Sequence, residues 1–110
     1  MTFDEYQKLA MTTKIADPVV KVDRAILALG IAGEAGEVAD KYKKILGYFN
    51  GELTDEDKAN LGKEIGDVLW YLATFAESLG LSFGDIAKQN LAKLADRKKR
   101  NVQRAEGDNR

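Results

Sequence analysis

Apolar side chains recur at intervals of three and four residues along most of the chain, which is the spacing of one face of an α-helix. No stretch alternates apolar and polar residues for long enough to predict a β-strand. The pattern therefore predicts an all-α fold. Its longest stripe marks a second helix from about Lys21 to Leu46 and comprises Leu27, Ile31, Ala35, Val38, Tyr42 and Ile45.

Capping residues mark the ends of the other helices. Thr2 with Glu5 forms a capping-box signal for the first helix. We expect that helix to end at Asp17-Pro18, because the residue before a proline avoids the helical conformation. Thr54 caps a third helix, and Ser82 opens a fourth that becomes basic toward its end.

Two long helices joined by a short connection are expected to lie antiparallel. With the two shorter helices they predict a compact four-helix bundle, which we expect to be oligomeric. A length of 110 residues leaves no room for a second domain. We expect one helical domain over residues 1–104 and a flexible polar tail over residues 105–110.

Three glycines interrupt the second helix at three-residue intervals, namely Gly30, Gly33 and Gly36. Each costs about 1 kcal/mol of helix stability relative to alanine. They predict a bare strip that another backbone or a ligand can approach closely. The alternative is that tertiary packing simply tolerates them.

Charge is balanced overall but uneven along the chain. Seventeen basic and eighteen acidic residues give a net charge of -1, which argues against a nucleic-acid or membrane partner. Residues 1–87 carry nine basic and fifteen acidic side chains, whereas residues 88–110 carry eight and three. The C-terminal segment is therefore suited to meet negative charge.

The chain has no cysteine and no histidine, which excludes a disulfide scaffold, a thiolate zinc site and a cysteine nucleophile. Catalysis would have to use carboxylates, hydroxyls, lysine, arginine or a hard metal ion. There is no apolar run of about 18 residues and no basic leader, so we expect a cytoplasmic protein.

Two acidic pairs lie at the rims of the predicted buried faces. Glu34 and Glu37 are one turn apart on the second helix, and Glu64 and Asp67 are one turn apart on the third. Antiparallel packing can bring the pairs together, and bound Mg²⁺ or Mn²⁺ would remove their mutual repulsion. The alternative is a solvated acidic face on which Glu37 and Lys41 form an ion pair within one helix.

Two segments resemble the paired ExxE and ExxD signature of the MazG-like, all-α nucleoside triphosphate pyrophosphohydrolases. They are GEAGEVAD at residues 33–40 and EIGDVLWYL at residues 64–72, and the 26 residues between Glu37 and Glu64 fit the pattern. The segment NLAKL at residues 90–94, followed by Arg97, is similar to the basic fourth helix of the family. The resemblance covers residues 3–104. One departure is Gly33, which stands where many members carry a further acid.

The resemblance implies hydrolysis of a (deoxy)nucleoside triphosphate between its α and β phosphates, giving a monophosphate and pyrophosphate. It implies Glu34, Glu37, Glu64 and Asp67 as ligands of Mg²⁺ or Mn²⁺. One of the first two would instead orient or deprotonate the attacking water, and we favour Glu34 for this catalytic role over Glu37.

Substrate-binding residues are expected nearby. Lys93 and Arg97 lie four apart on one helix face and could neutralise the triphosphate, although a solvated basic helix end is the alternative. Asn90 could bond to sugar or base, or be a plain surface residue. Tyr71 could cap the metal site or stack near the sugar, with core packing as the rival role.

Trp70 lies on the opposite side of the third helix from Val68 and Leu72, so the core of one chain does not easily bury it. It therefore predicts a subunit interface, and the resemblance implies a homodimer or homotetramer. The alternative is a partly exposed surface tryptophan.

Two other functions remain open on the sequence. One is a non-catalytic dimeric helical interaction module, in which the acids form a solvated face. The other is a narrower relative, such as a dUTPase- or dCTPase-like enzyme or a phosphoribosyl-ATP pyrophosphohydrolase. The base preference is not legible from the residues.

Overall fold

The computed structural model describes residues 1–48 and 51–101, and this part of the chain forms four α-helices and no strand. The helices are α1 (Phe3–Met11), α2 (Val20–Tyr48), α3 (Asp55–Ser78) and α4 (Phe83–Lys99). The predicted all-α helical bundle is confirmed. The tail expected at residues 105–110 lies outside the described residues.

Side chains cap three of the helices as predicted. In the capping box of α1, the Thr2 hydroxyl accepts from the Glu5 backbone N–H at 3.0 Å and the Glu5 carboxylate accepts from the Thr2 N–H at 3.3 Å. Thr54 and Asp57 form the same box on α3. Ser82 caps α4.

The end of α1 differs from the prediction, because the helix stops at Met11 and not at Asp17-Pro18. The hydroxyls of Thr12 and Thr13 donate to backbone carbonyl groups three residues earlier, at 2.6 and 2.7 Å. Such bonds compete with helix continuation. The helix therefore ends at Met11, just before the two threonines.

The connection between α1 and α2 is held by Asp23. Its carboxylate accepts from the Lys14 ammonium at 2.7 Å and from the Asp17 backbone N–H at 3.0 Å. The bond from Lys14 and then the bond from Asp17 lower the pKa of Asp23. The carboxylate thus orders the linker against the first turns of α2.

The helices α2 and α3 pack antiparallel, as expected. At one end the Arg24 guanidinium donates to the Ser78 carbonyl at 2.8 and 3.1 Å, and toward the other end Lys41 reaches Glu64. Leu27 and Ile45 of the predicted apolar stripe are buried between them. Ala35 and Tyr42 of the same stripe are exposed, so their assignment to the core was wrong.

Those two residues belong to an exposed apolar face instead, since they recur at the alternating three-and-four spacing of a coiled-coil seam. The seam on α2 consists of Ala25, Ala28, Ala32, Ala35, Ala39, Tyr42 and Leu46, all exposed. Beside it on α3, Ile65 and Leu72 are 57% and 39% exposed. An apolar cleft of about 330 Å³ runs between the two helices here.

Gln7 fastens α1 to the other end of the bundle. Its side-chain amide is 5% exposed and donates to the carbonyls of Ala73 and Leu81, at 3.2 and 2.9 Å. Its oxygen accepts from the Phe83 backbone N–H at 3.1 Å. Both amide N–H groups donate and the oxygen accepts one bond, so three of the four bonding positions of this buried amide are filled.

Asp4 holds the start of α4. Its carboxylate accepts from the Gly84 N–H at 2.9 Å and from the Ser82 hydroxyl at 2.8 Å, and these bonds lower its pKa. α4 packs on α1 and α3, and none of its Cα atoms lies within 8 Å of one in the described part of α2. None of the four described helices is long and apolar enough to cross a bilayer.

Candidate metal centre

Three carboxylates meet where α2 faces α3. Glu34 projects from α2, and Glu64 and Asp67 project from successive turns of α3. One oxygen from each lies within 4.8 Å of the others, close enough for one ion to contact all three. Antiparallel packing thus brings together three of the four acids that the sequence singled out.

The negative charges of the trio repel one another. Loss of hydration raises the pKa of Glu34, and the charges of Asp67, Glu64 and Glu37 raise it further. A carboxylate in that position holds its proton more tightly than usual. A cation bound among the three oxygens would reverse the effect.

A cationic group already occupies one edge of the trio. The Lys41 ammonium lies 2.8 Å from Glu64 Oε1, across the gap between α2 and α3. The alternative interpretation of the sequence paired Lys41 with Glu37. In the structure, Lys41 pairs with Glu64 instead. Lys41 acts as a stand-in cation, and the all-oxygen donor set suits a hard divalent ion.

Glu37 stands apart from the trio. It is exposed one turn beyond Glu34, and no oxygen of it joins the group within 4.8 Å. Its charge still contributes to the raised pKa of Glu34, so it borders the site. Its role as a fourth ligand or as a base stays a prediction.

Tyr71 packs beside the trio against the backbone of α2. A Cβ atom at Gly30 would overlap the Tyr71 ring, so only glycine admits this contact. A Cβ atom at Gly33 or Gly36 would meet no atom of another element within 4 Å. Among the described residues, only the first glycine of the predicted strip is therefore closely approached. The packing role of Tyr71 is present, and its contact with a sugar stays a prediction.

Tyr6 is a neighbour that the sequence analysis missed. Burial raises the pKa of its phenol, and the negative charge of Asp67 adds to the shift, which places α1 beside the carboxylates. An open cleft of about 620 Å³ adjoins Tyr6 and is lined by Phe3, Leu69, Lys88 and Leu91 among others. No local pattern signals this contact, because it depends on how α1 crosses α3.

Trp70 has partners inside its own chain. Its indole N–H donates to the Thr13 hydroxyl at 2.8 Å, and its ring meets Tyr71 edge-on with centroids 5.0 Å apart. The linker between α1 and α2 lies along it and half-buries it. A role at a subunit interface stays a prediction, carried by the exposed part of the ring.

The candidate substrate residues of α4 lie in different surroundings. Asn90 lines a shallow cleft with Phe3 and Phe83, and Lys93 is exposed. Arg97 is 3% exposed. No Cα atom of α4 lies within 8 Å of one in α2, so these three residues stand on a helix that does not pack against the helix of Glu34. Their contact with phosphate or sugar stays a prediction.

Comparison with known proteins gives two matches. The MazG nucleotide pyrophosphohydrolase domain matches residues 23–102, which include all four acids and all of α4. The "Gene 37 protein" of Mycobacterium phage L5 is 40% identical over 114 aligned residues that cover the whole of both chains. No solved structure matches the chain.

Proposed function

Because the chain belongs to the MazG nucleotide pyrophosphohydrolase family, we propose that it hydrolyses a (deoxy)nucleoside triphosphate between the α and β phosphates. The products would be a monophosphate and pyrophosphate. The single observation that carries this proposal is the trio of Glu34, Glu64 and Asp67, with oxygens within 4.8 Å. The chain has no histidine or cysteine, and a divalent ion held by carboxylates can support hydrolysis of a phosphoanhydride without either.

The carboxylates divide the work. Glu64 and Asp67, one turn apart on a rigid helix, would hold Mg²⁺ or Mn²⁺ together with Glu34 or Glu37. The ion supplies charge neutralisation at the phosphates and acidifies bound water. Glu34 lies beside the proposed ion ligands Glu64 and Asp67, and we assign it to orient the attacking water and accept its proton. Glu37 would then complete the oxygen ligands from its exposed position.

The substrate needs room beside the acids. The cleft of about 620 Å³ next to Tyr6 is of the size that binds small molecules, and its wall is largely apolar. We place the nucleoside there, against Tyr6. Tyr71 and Asn90 line other clefts, and we propose their contact with the sugar or base separately. Lys93 would add positive charge for the phosphates, and Arg97 would do so if its side chain becomes accessible in the assembled enzyme.

The seam on α2 supports a homo-oligomer. Seven apolar residues at coiled-coil spacing are exposed, and the adjoining face of α3 exposes Ile65 and Leu72. A second copy of this chain is the partner that matches such a face, as a homodimer or a tetramer built from it. The net charge of -1 favours neither nucleic acid nor membrane, and we place the activity in the cytoplasm.

The proposal is tested by incubating the protein with each common NTP and dNTP, and with phosphoribosyl-ATP, in Mg²⁺ or Mn²⁺. Chromatography should find a monophosphate and pyrophosphate for at least one substrate, and nothing for Asp67→Asn. Mg²⁺ or Mn²⁺ should also raise the melting temperature. Two negative results together would favour the non-catalytic interaction module instead. These are no release of pyrophosphate from any substrate and no change of melting temperature with either ion.

A further inference from the structure

The ion pair between Lys41 and Glu64 joins two helices at the edge of the trio. The ammonium lies 2.8 Å from Glu64 Oε1, and the Glu64 side chain is 17% exposed. Lys41 is more open, with 41% of its side chain exposed. The Lys41 side chain can therefore turn toward solvent, whereas the Glu64 carboxylate is more enclosed.

The neighbouring lysines behave differently. Lys43 and Lys44 both pair with Asp40, on their own helix, at 3.4 and 2.8 Å. Lys41 is the one of these three whose ammonium crosses to α3. Its position makes it a counter-ion of the site and not of the helix surface.

An ammonium and a divalent cation cannot both take the same side of one carboxylate, because their charges repel and both need the oxygen lone pairs. A cation bound on the side of Glu64 Oε1 would therefore displace Lys41. The released ammonium remains tethered to α2, one turn beyond Glu37. A phosphate bound to that cation would lie within reach of the side chain.

On this basis we propose that Lys41 is a substrate-binding residue, held on Glu64 until a divalent cation displaces it and then bound to a phosphate oxygen of the nucleotide. This inference rests on the proposed function. It adds a positive charge supplied by α2 to those expected from α4. It also predicts that removing the Lys41 ammonium strengthens the binding of the cation and weakens the binding of phosphate.

The test compares Lys41→Gln with wild type and with Lys43→Gln as the matched control. Titration calorimetry with Mn²⁺ alone should show binding about threefold tighter or more in Lys41→Gln, since the competing ammonium is gone. Titration with inorganic pyrophosphate in saturating Mg²⁺ should show binding about tenfold weaker, since a charge-assisted contact is lost. KM for the best nucleotide should rise in parallel, while Lys43→Gln matches wild type in all three measurements.

Lys41→Arg should stay within about threefold of wild type for both ligands, because it keeps the charge. Circular dichroism confirms that each variant is helical before it is titrated. Unchanged or weaker Mn²⁺ binding by Lys41→Gln would overturn the displacement, and unchanged pyrophosphate binding would overturn the substrate contact. Either result with an active wild type leaves the proposed function standing. A wild type that binds no Mn²⁺ overturns both.

Discussion

The ring of Tyr71 lies so close to Gly30 that no side chain larger than hydrogen fits between them. Gly30 precedes Glu34 by one turn of α2, and Tyr71 follows Asp67 by one turn of α3. The contact therefore sets the separation of the two helices next to the carboxylates. A methyl group there would push apart the carboxylates that we propose to share an ion.

We expect Gly30→Ala to lower the free energy of unfolding by about 1–3 kcal/mol, the usual cost of overpacking. It should also reduce the rise in melting temperature that Mn²⁺ produces. Gly33→Ala is the control, because its site is open and alanine favours a helix. Urea unfolding measures both variants, and equal stabilities would contradict the packing argument. Replacing Tyr71 by leucine in the Gly30→Ala background should restore part of the stability.

A second prediction concerns the pH dependence of the metal-free protein. The pKa of Glu34 is raised in the folded state, so between its ordinary value of 4.5 and the raised one the native state holds more protons than the unfolded state. Stability therefore falls as pH rises through that window and stays lower above it. Glu34→Gln should be more stable than wild type at about pH 7 and equal to it at about pH 4. Urea unfolding with a chelator present checks this, and a gap that is widest in acid would reverse the sign.

A third prediction concerns the loss of a carboxylate at Asp67 or at Glu37. Asp67→Asn should cost more than about tenfold in kcat while leaving the helical content intact, because a direct ligand is lost. Glu37→Gln should also abolish turnover if Glu37 is a ligand. Single-turnover assays and circular dichroism measure the two effects. Retention of more than about a tenth of wild-type activity by both variants would remove the metal assignment.

A fourth prediction distinguishes Lys93 from Arg97, the two candidate phosphate-binding residues of α4. Lys93 is exposed, so Lys93→Gln should lower kcat/KM without changing the melting temperature. Arg97 is buried, so Arg97→Gln should lower the melting temperature as well. Replacing Lys98 and Lys99 together serves as the control for general positive charge. A loss of kcat/KM in that control as large as in Lys93→Gln would exclude a specific contact.

A fifth prediction concerns Trp70. Trp70 faces away from Leu72, so the interface predicted at its indole is separate from the one proposed at the seam on α2. Trp70→Glu should disrupt that separate contact, since an unpartnered charge in an apolar interface costs several kcal/mol. Thr13→Val removes only the hydrogen bond to the indole and should leave assembly unchanged. Sedimentation velocity measures both. Identical assemblies of wild type and Trp70→Glu would remove the indole from the interface.

Local signals predicted what depends on local physics. Thr2, Thr54 and Ser82 cap their helices because a hydroxyl can reach a backbone N–H three residues on, whatever the rest of the chain does. The meeting of Glu34 with Asp67 was also predictable, because antiparallel helices of known pattern have few ways to pack. The predicted end of α1 failed, because two threonine hydroxyls terminate it before the proline does.

Contacts set by tertiary geometry were not predictable. The helical spacing of Lys41 suggested Glu37 as its partner, and only the packing of α3 shows that Glu64 is nearer. Nothing local marks Gln7 as the buried clamp, because a polar residue on a short helix is usually exposed. Ala35 was assigned to the core because periodicity identifies an apolar face without saying whether this chain or another covers it.

The amide of Gln7 joins stretches of chain that are 66 and 74 positions apart, so docking α1 closes a far longer loop than the pairing of α2 with α3 does. Loop closure costs about 0.6 kcal/mol more for each doubling of length. We therefore expect the hairpin of α2 and α3 to form early and α1 to dock late in folding. During synthesis on the ribosome, α1 would emerge first but could dock only after Leu81 and Phe83 had emerged.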